Sequence, residues 1–150
     1  MKIGAVLQAQ GSLPAALDSH RASLGIAERL ANADPSNADW LRMLSIAHSK
    51  IGSVLETRGT LSAALDNYRA AHDAFGRLAN AAPGNGQRDL GLSHGRIATV
   101  LARQGLQNEA TAAFGRGHTM ITGLLRQFPD SSVFSSDLAW FEDQLADLKQ

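Results

Sequence analysis

The sequence predicts an all-α protein, an α-α superhelix of stacked antiparallel helical hairpins with about seven helices. Three observations carry that prediction. The first is internal repetition. KIGSVLETRGTLSAAL at 50–65 is echoed by KIGAVLQAQGSLPAAL at 2–17 and, with more changes, by RIATVLARQGLQNEA at 96–110. Self-similarity at a fixed period marks a repeat array, in which each unit buries its apolar face only by stacking on its neighbours. The second is register. Gly4, Gly52 and Ala98 are equivalent, with spacings of 48 and 46, and Pro35, Pro83 and Pro129 repeat both spacings. The landmark lies 31 residues before the proline each time, so the change in unit length falls after Pro83. The third is composition. Alanine, leucine and glycine are abundant, only 5% of residues are aromatic, and β-branched runs are missing. Such a chain favours helices in close contact.

The elements follow in order. A short helix is expected over 2–10, because the first copy of the motif starts midway along its first helix. The next spans 13–33, with Pro14 in the first turn, where a missing N–H costs little. In the helix 37–58, Trp40, Leu44, Ala47, Ile51 and Leu55 recur at three and four, giving one apolar face. Gly59 suits the C′ position and Thr60 the cap of the following helix. That helix, 61–81, carries Leu61, Ala64, Leu65, Tyr68, Ala71, Phe75 and Leu78 on one face. It stops at Ala82, because the residue before Pro83 is pushed out of the α region. Helices over 87–104 and 107–127 repeat the pattern. A last helix, 132–149, places Phe134 where Trp40 stands and Leu138 where Leu44 stands, and is expected to cap the array. Trp140 and Phe141 are adjacent, so they do not both face inward well. The chain is read as one domain, 1–150, with units at about 1–35, 36–83 and 84–129 and a capping helix over 130–150.

The residues resemble the tetratricopeptide repeat, whose pattern is W-x2-L-G-x2-Y, then A-x3-F, then P. The second unit reads His48-x2-Ile51-Gly52-x2-Leu55, then Ala64-x3-Tyr68, then Pro83. The third reads His94-x2-Ile97-Ala98-x2-Leu101, then Ala110-x3-Phe114, then Pro129. The first reads Ile3-Gly4-x2-Leu7, then Ala16-x3-His20, then Pro35. The first aromatic is missing, and the unit is longer than the usual 34 residues. The excess is about two turns in each helix, roughly 10 Å at 1.5 Å per residue. Units of this length look like the long tandem repeats of bacterial scaffold proteins. The resemblance implies a non-enzymatic, cytoplasmic scaffold that binds a protein or peptide along its first helices. By alignment the groove would show Ser49, Lys50, Ser53, Glu56 and Thr57, then Gly95, Arg96, Thr99 and Arg103. The family's clamp for a C-terminal carboxylate needs an asparagine one turn after a lysine. Ala5, Ser53 and Thr99 stand there, so that clamp is absent.

Other chemistry is excluded or weakened by the same residues. Lys and Arg number 14 and Asp and Glu 14, for a formal net charge of zero, which removes the broad attraction expected of a nucleic-acid binder. No cysteine is present, so thiolate catalysis, disulfides and thiolate zinc sites fall away. No apolar run reaches the ~18 residues of a membrane span, and Met1 to Gln10 lacks the pattern of a signal peptide. Gly91-Leu-Ser93-His94-Gly95 matches G-x-S-x-G, but that motif needs a preceding strand, and here it falls inside a helix. Of the five histidines, none pairs at i, i+4. His48 and His94 are equivalent, as are His72 and His118, which points to packing positions. No catalytic residue, metal, cofactor or small-molecule substrate is therefore expected. Gly91, Gly95, Gly115, Gly117 and Gly123 crowd the third unit. At up to ~1 kcal/mol each, they predict faster amide exchange over 87–127 than over 37–81. The alternative reading is an assembly module, or part of a larger signalling protein. The shortened first unit would expose Leu24, Ile26 or Leu30 as an edge through which a homodimer forms.

Overall fold

The computed structural model describes residues 12–82 and 86–149. They form six helices: α1 (Leu13–Ala33), α2 (Ala38–Thr57), α3 (Leu61–Ala81), α4 (Gln87–Arg103), α5 (Gln107–Gln127) and α6 (Ser132–Leu148). Each lies within one residue of its expected position. The short helix expected over 2–10 lies outside the described residues. Each helix packs against its neighbours in sequence order, from α1 on α2 to α5 on α6. The fold is thus an all-α array of helical hairpins.

Repeated local chemistry sets the boundaries. At the end of α2, Gly59 takes φ 80°. Its N–H bonds the Glu56 carbonyl at 3.0 Å, and the Thr60 N–H bonds the Leu55 carbonyl at 2.9 Å. This paired closure uses the left-handed conformation that glycine adopts without a Cβ penalty. Gly105, at φ 82°, repeats it after α4, with Leu106 N–H on the Leu101 carbonyl at 2.9 Å. Thr60 does occupy the N-cap of α3, but its hydroxyl makes no capping bond. Its φ of −83° and ψ of 72° lie outside the extended region that aims an N-cap side chain at the helix amides. The equivalent cap of α5 is Leu106, which has no polar side chain to offer.

The second helices α1, α3 and α5 are each 21 residues long. They end at Asp34, Ala82 and Phe128, each directly before a proline, with φ of −142°, −137° and −131°. The proline ring denies those residues the α region. Side-chain caps open two of the first helices. Asn37 accepts the Trp40 N–H at 3.2 Å, and its equivalent Ser131 accepts the Phe134 N–H at 3.1 Å. Such caps contribute about 1 kcal/mol each. The two residues missing from the third unit shorten α4 itself, to 17 residues against 20 in α2, and leave Gly86 as its cap, at φ 84° and with no side chain to bond.

The core is a run of overlapping clusters. Ala16 and Leu17 of α1 meet Ile51, Val54 and Leu55 of α2 and Ala64 of α3. Leu41 of α2 meets Ala71, Phe75 and Leu78 of α3. The largest cluster joins Tyr68 of α3, Leu101 of α4, Phe114 and Ile121 of α5, and Phe141 of α6. Leu90 of α4 packs on the second of these, so each cluster reaches three or more helices and no single hairpin closes its own core.

Buried glycines act as sockets. A β-carbon at Gly52 would lie 2.7 Å from the Tyr68 ring, and one at Gly95 would lie 2.8 Å from Trp140. Gly91 faces Ile121 at 3.1 Å, and Gly117 stands against the Phe141 ring. The third unit's glycines fall into two kinds. Gly91, Gly95 and Gly117 exchange helix propensity for close packing, while Gly115 and Gly123 have nothing within 4 Å. Phe141 is fully buried and Trp140 is 40% exposed, so the two adjacent aromatics divide between core and surface. In α6, Ser135 stands where the buried Leu41 stands in α2, and Lys149, at the C-cap of α6, where Leu55 stands. Only Phe141 of that helix is buried, which gives α6 the polar outer face of a cap.

Candidate functional site

Successive first helices are linked by charged pairs. Arg42 of α2 meets Asp89 of α4 at 3.4 Å. One unit on, the equivalent Arg88 grips the equivalent Asp137 of α6 through two bonds, of 2.7 and 3.1 Å. That carboxylate bond holds the Arg88 guanidinium above its ordinary pKa. The same register of arginine and aspartate thus joins α2 to α4 and α4 to α6. At the other end of the α2–α4 seam, Arg103 reaches both the Glu56 carboxylate, at 3.3 Å, and the Glu56 carbonyl, at 3.0 Å. Tyr68 donates its hydroxyl to Glu56 at 2.9 Å. Burial pushes the Tyr68 phenol well up, and the bond to Glu56 and that carboxylate's charge add to the shift.

Between these two pairs lies a cavity of about 450 Å³, lined by residues of α1, α2, α3 and α4. Four of the expected groove residues meet there: Ser49, Lys50, Ser53 and Arg96. Arg42, Ile46, Asp89 and His20 line it too and were not anticipated. The first two were legible, since 42, 46, 49 and 53 fall on one helical face at spacings of three and four. His20 comes from another unit; the A-x3-F pattern makes it the equivalent of Tyr68, which lines the same cavity, but no pattern along one helix brings the two units together there. His20 is buried, and desolvation followed by the charge of Lys50 holds its pKa below the ordinary value. The Ser49 hydroxyl is buried without a hydrogen-bond partner.

The remaining groove residues are placed differently. Glu56 and Arg103 hold each other, so each spends its charge on the seam. Thr57 is exposed, with its hydroxyl donating to the Ser53 carbonyl at 3.0 Å. Thr99 donates to the Gly95 carbonyl at 2.9 Å, and Gly95 itself is covered by Trp140. On the proposed edge, Leu24 packs against two core clusters and Leu30 is half-buried, while Ile26 is 47% exposed.

The histidines tie helices together. His48 meets Asn67 at 3.2 Å, His118 meets Glu142 at 3.5 Å, and the His72 and His94 rings touch with centroids 4.3 Å apart. Burial lowers the pKa of both His72 and His94. His94 falls to about 4, with His72 and Arg116 adding to the effect of burial. Both rings are therefore neutral near pH 7. Ser93, centre of the G-x-S-x-G match, is 1% exposed in the middle of α4. Its hydroxyl donates to the Leu90 carbonyl at 2.7 Å and lies 2.5 Å from His72 Nδ1. With its proton on the helix backbone, this hydroxyl accepts from His72 and clamps α3 to α4. Among the described residues no group of three or more histidines and carboxylates could hold a metal ion. No helix among them is long and apolar enough to cross a membrane. Compared with protein-family models and with curated proteins, the chain matches none.

Proposed function

We propose that this chain is a non-enzymatic scaffold of the tetratricopeptide kind, which binds a protein segment along the exposed face of α2, α4 and α6. One observation carries the reading. Ile46, Leu92 and Trp140 are repeat-equivalent, one in each first helix, and Ile46 and Trp140 are 44% and 40% exposed. An apolar row at one register position, beside the polar positions Lys50, Arg96 and Gln144, suits a segment that anchors apolar side chains and reads polar ones. The long unit supports a bacterial array, and the cytoplasm is the compartment we assign to it. The partner is a protein or peptide rather than a nucleic acid or small molecule.

Selection of displayed random peptides against the full chain tests the reading. Enriched peptides should compete with one another and lose binding to Ile46→Asp. Peptides that bind Ile46→Asp and the parent chain equally would remove the groove as the binding face.

A further inference from the structure

The charge pattern along the α2–α4 seam is uneven. Opposite charges meet at one end, Arg42 with Asp89, and at the other, Glu56 with Arg103. Between them stand Lys50 of α2 and its equivalent Arg96 of α4, two like charges lining one cavity. Among the described residues neither forms an ion pair. Residues 1–11 and 83–85 contain no aspartate or glutamate that could serve. At 1.5 Å per residue, Lys50 lies about 12 Å along the helix from Arg42 and about 9 Å from Glu56. Neither terminal pair includes Lys50 or Arg96.

The cavity adds donors and no acceptor charge of its own beyond Asp89, which Arg42 already engages. The buried Ser49 hydroxyl has no partner, and Ser53 lines the same wall. The two cations and the unpartnered Ser49 hydroxyl around one cavity match a group with two negative charges and several acceptor oxygens. Arginine and lysine clusters recognise phosphoryl and acidic motifs in this way.

We propose that a bound protein segment places a dianionic group, a phosphorylated side chain or two adjacent carboxylates, between Lys50 and Arg96, with Ser49 as a neutral donor. This inference rests on the groove reading and specifies its partner's chemistry. The volume of about 450 Å³ exceeds that of a phosphoryl group and admits the side chain that carries it.

The test is an amide-resolved NMR titration of the full chain with three short capped peptides. One carries a single phosphoserine, one carries two adjacent glutamates, and one carries serine as the neutral control. At least one anionic peptide should give saturable shifts at residues 49–53 and 96, with none from the neutral peptide. The anionic peptide that saturates at lower concentration identifies the source of the charge. The double variant Lys50→Gln, Arg96→Gln should weaken that binding tenfold or more, while Lys50→Arg should retain it. Both cations are solvent-accessible, so the variants should keep the parent's circular dichroism, and that measurement accompanies each titration. Absence of saturable shifts with either anionic peptide, or equal affinity in the double variant, overturns the inference. Library-selected peptides that are lost on Ile46→Asp but insensitive to the double variant also overturn it, while leaving the groove reading standing. Saturable anion binding without any selected peptide overturns the groove reading and, with it, this inference.

Discussion

Tyr68 occupies the space that a side chain on residue 52 would need: a β-carbon there would sit 2.7 Å from ring carbons Cδ1 and Cε1. The same ring sends its hydroxyl to Glu56, and Glu56 holds Arg103 of the next unit. The absence of one side chain therefore positions a ring, the ring a carboxylate, and the carboxylate the neighbouring helix. In the next unit Ala98 and Phe114 take the places of Gly52 and Tyr68, both buried.

Gly52→Ala is expected to destabilise the protein by about 1–3 kcal/mol, because overpacking against the ring outweighs the ~1 kcal/mol that alanine adds to helix propensity. Urea unfolding measures it. A variant as stable as the parent would mean that the ring moves aside at little cost.

Gly115→Ala and Gly123→Ala should act in the opposite direction. A β-carbon at either meets nothing within 4 Å, so each should stabilise the fold by about 0.5–1 kcal/mol. Gly117→Ala, against Phe141, should destabilise. The three thermal midpoints must fall on opposite sides of the parent for the socket argument to hold.

Phe141→Ala should cost about 3–5 kcal/mol. Phe141 is fully buried and is the one buried side chain of α6. It meets Phe114 edge to face, with ring centroids 6.5 Å apart. Hydrogen exchange should show protection lost first in α6, since terminal units open locally. Uniform loss along all six helices would count against α6 as a separately docked cap.

Stability should fall as pH drops from about 6.5 towards 4. His94 has a folded pKa near 4 and an ordinary value of 6.5, so over that window the unfolded chain binds the proton and the folded one does not. The slope of stability with pH is then positive. Solvent screening at this half-buried site reduces the full linkage to about 1–2 kcal/mol. His72 is lowered by burial in the same direction. His94→Gln should flatten the profile of unfolding midpoint against pH. A profile equally steep in the variant would move the effect to other groups.

Much of this architecture was legible before any coordinates. The glycines at 59 and 105 and the prolines at 35, 83 and 129 mark helix ends through backbone geometry alone, which is local. The periods of three and four placed the core faces, and the helix bounds agree to within a residue. The site was legible in part. Ser49, Lys50, Ser53 and Arg96 follow from alignment and do line one cavity. Alignment could not separate them from Glu56 and Arg103, which belong to the same face but neutralise each other across units.

By itself, then, the sequence determined the repeat, its register, the turns and the helices, because each depends on residues a few positions apart. Tertiary structure alone decided which charges are consumed by the seam and which stay unpaired. It decided that His20 enters a cavity built by the two following units, and that three glycines of the third unit are sockets rather than weak points. Those outcomes depend on groups about 20 to 50 residues apart brought within a few ångströms, and on the offset between stacked units. A pattern read along one helix carries no record of that offset.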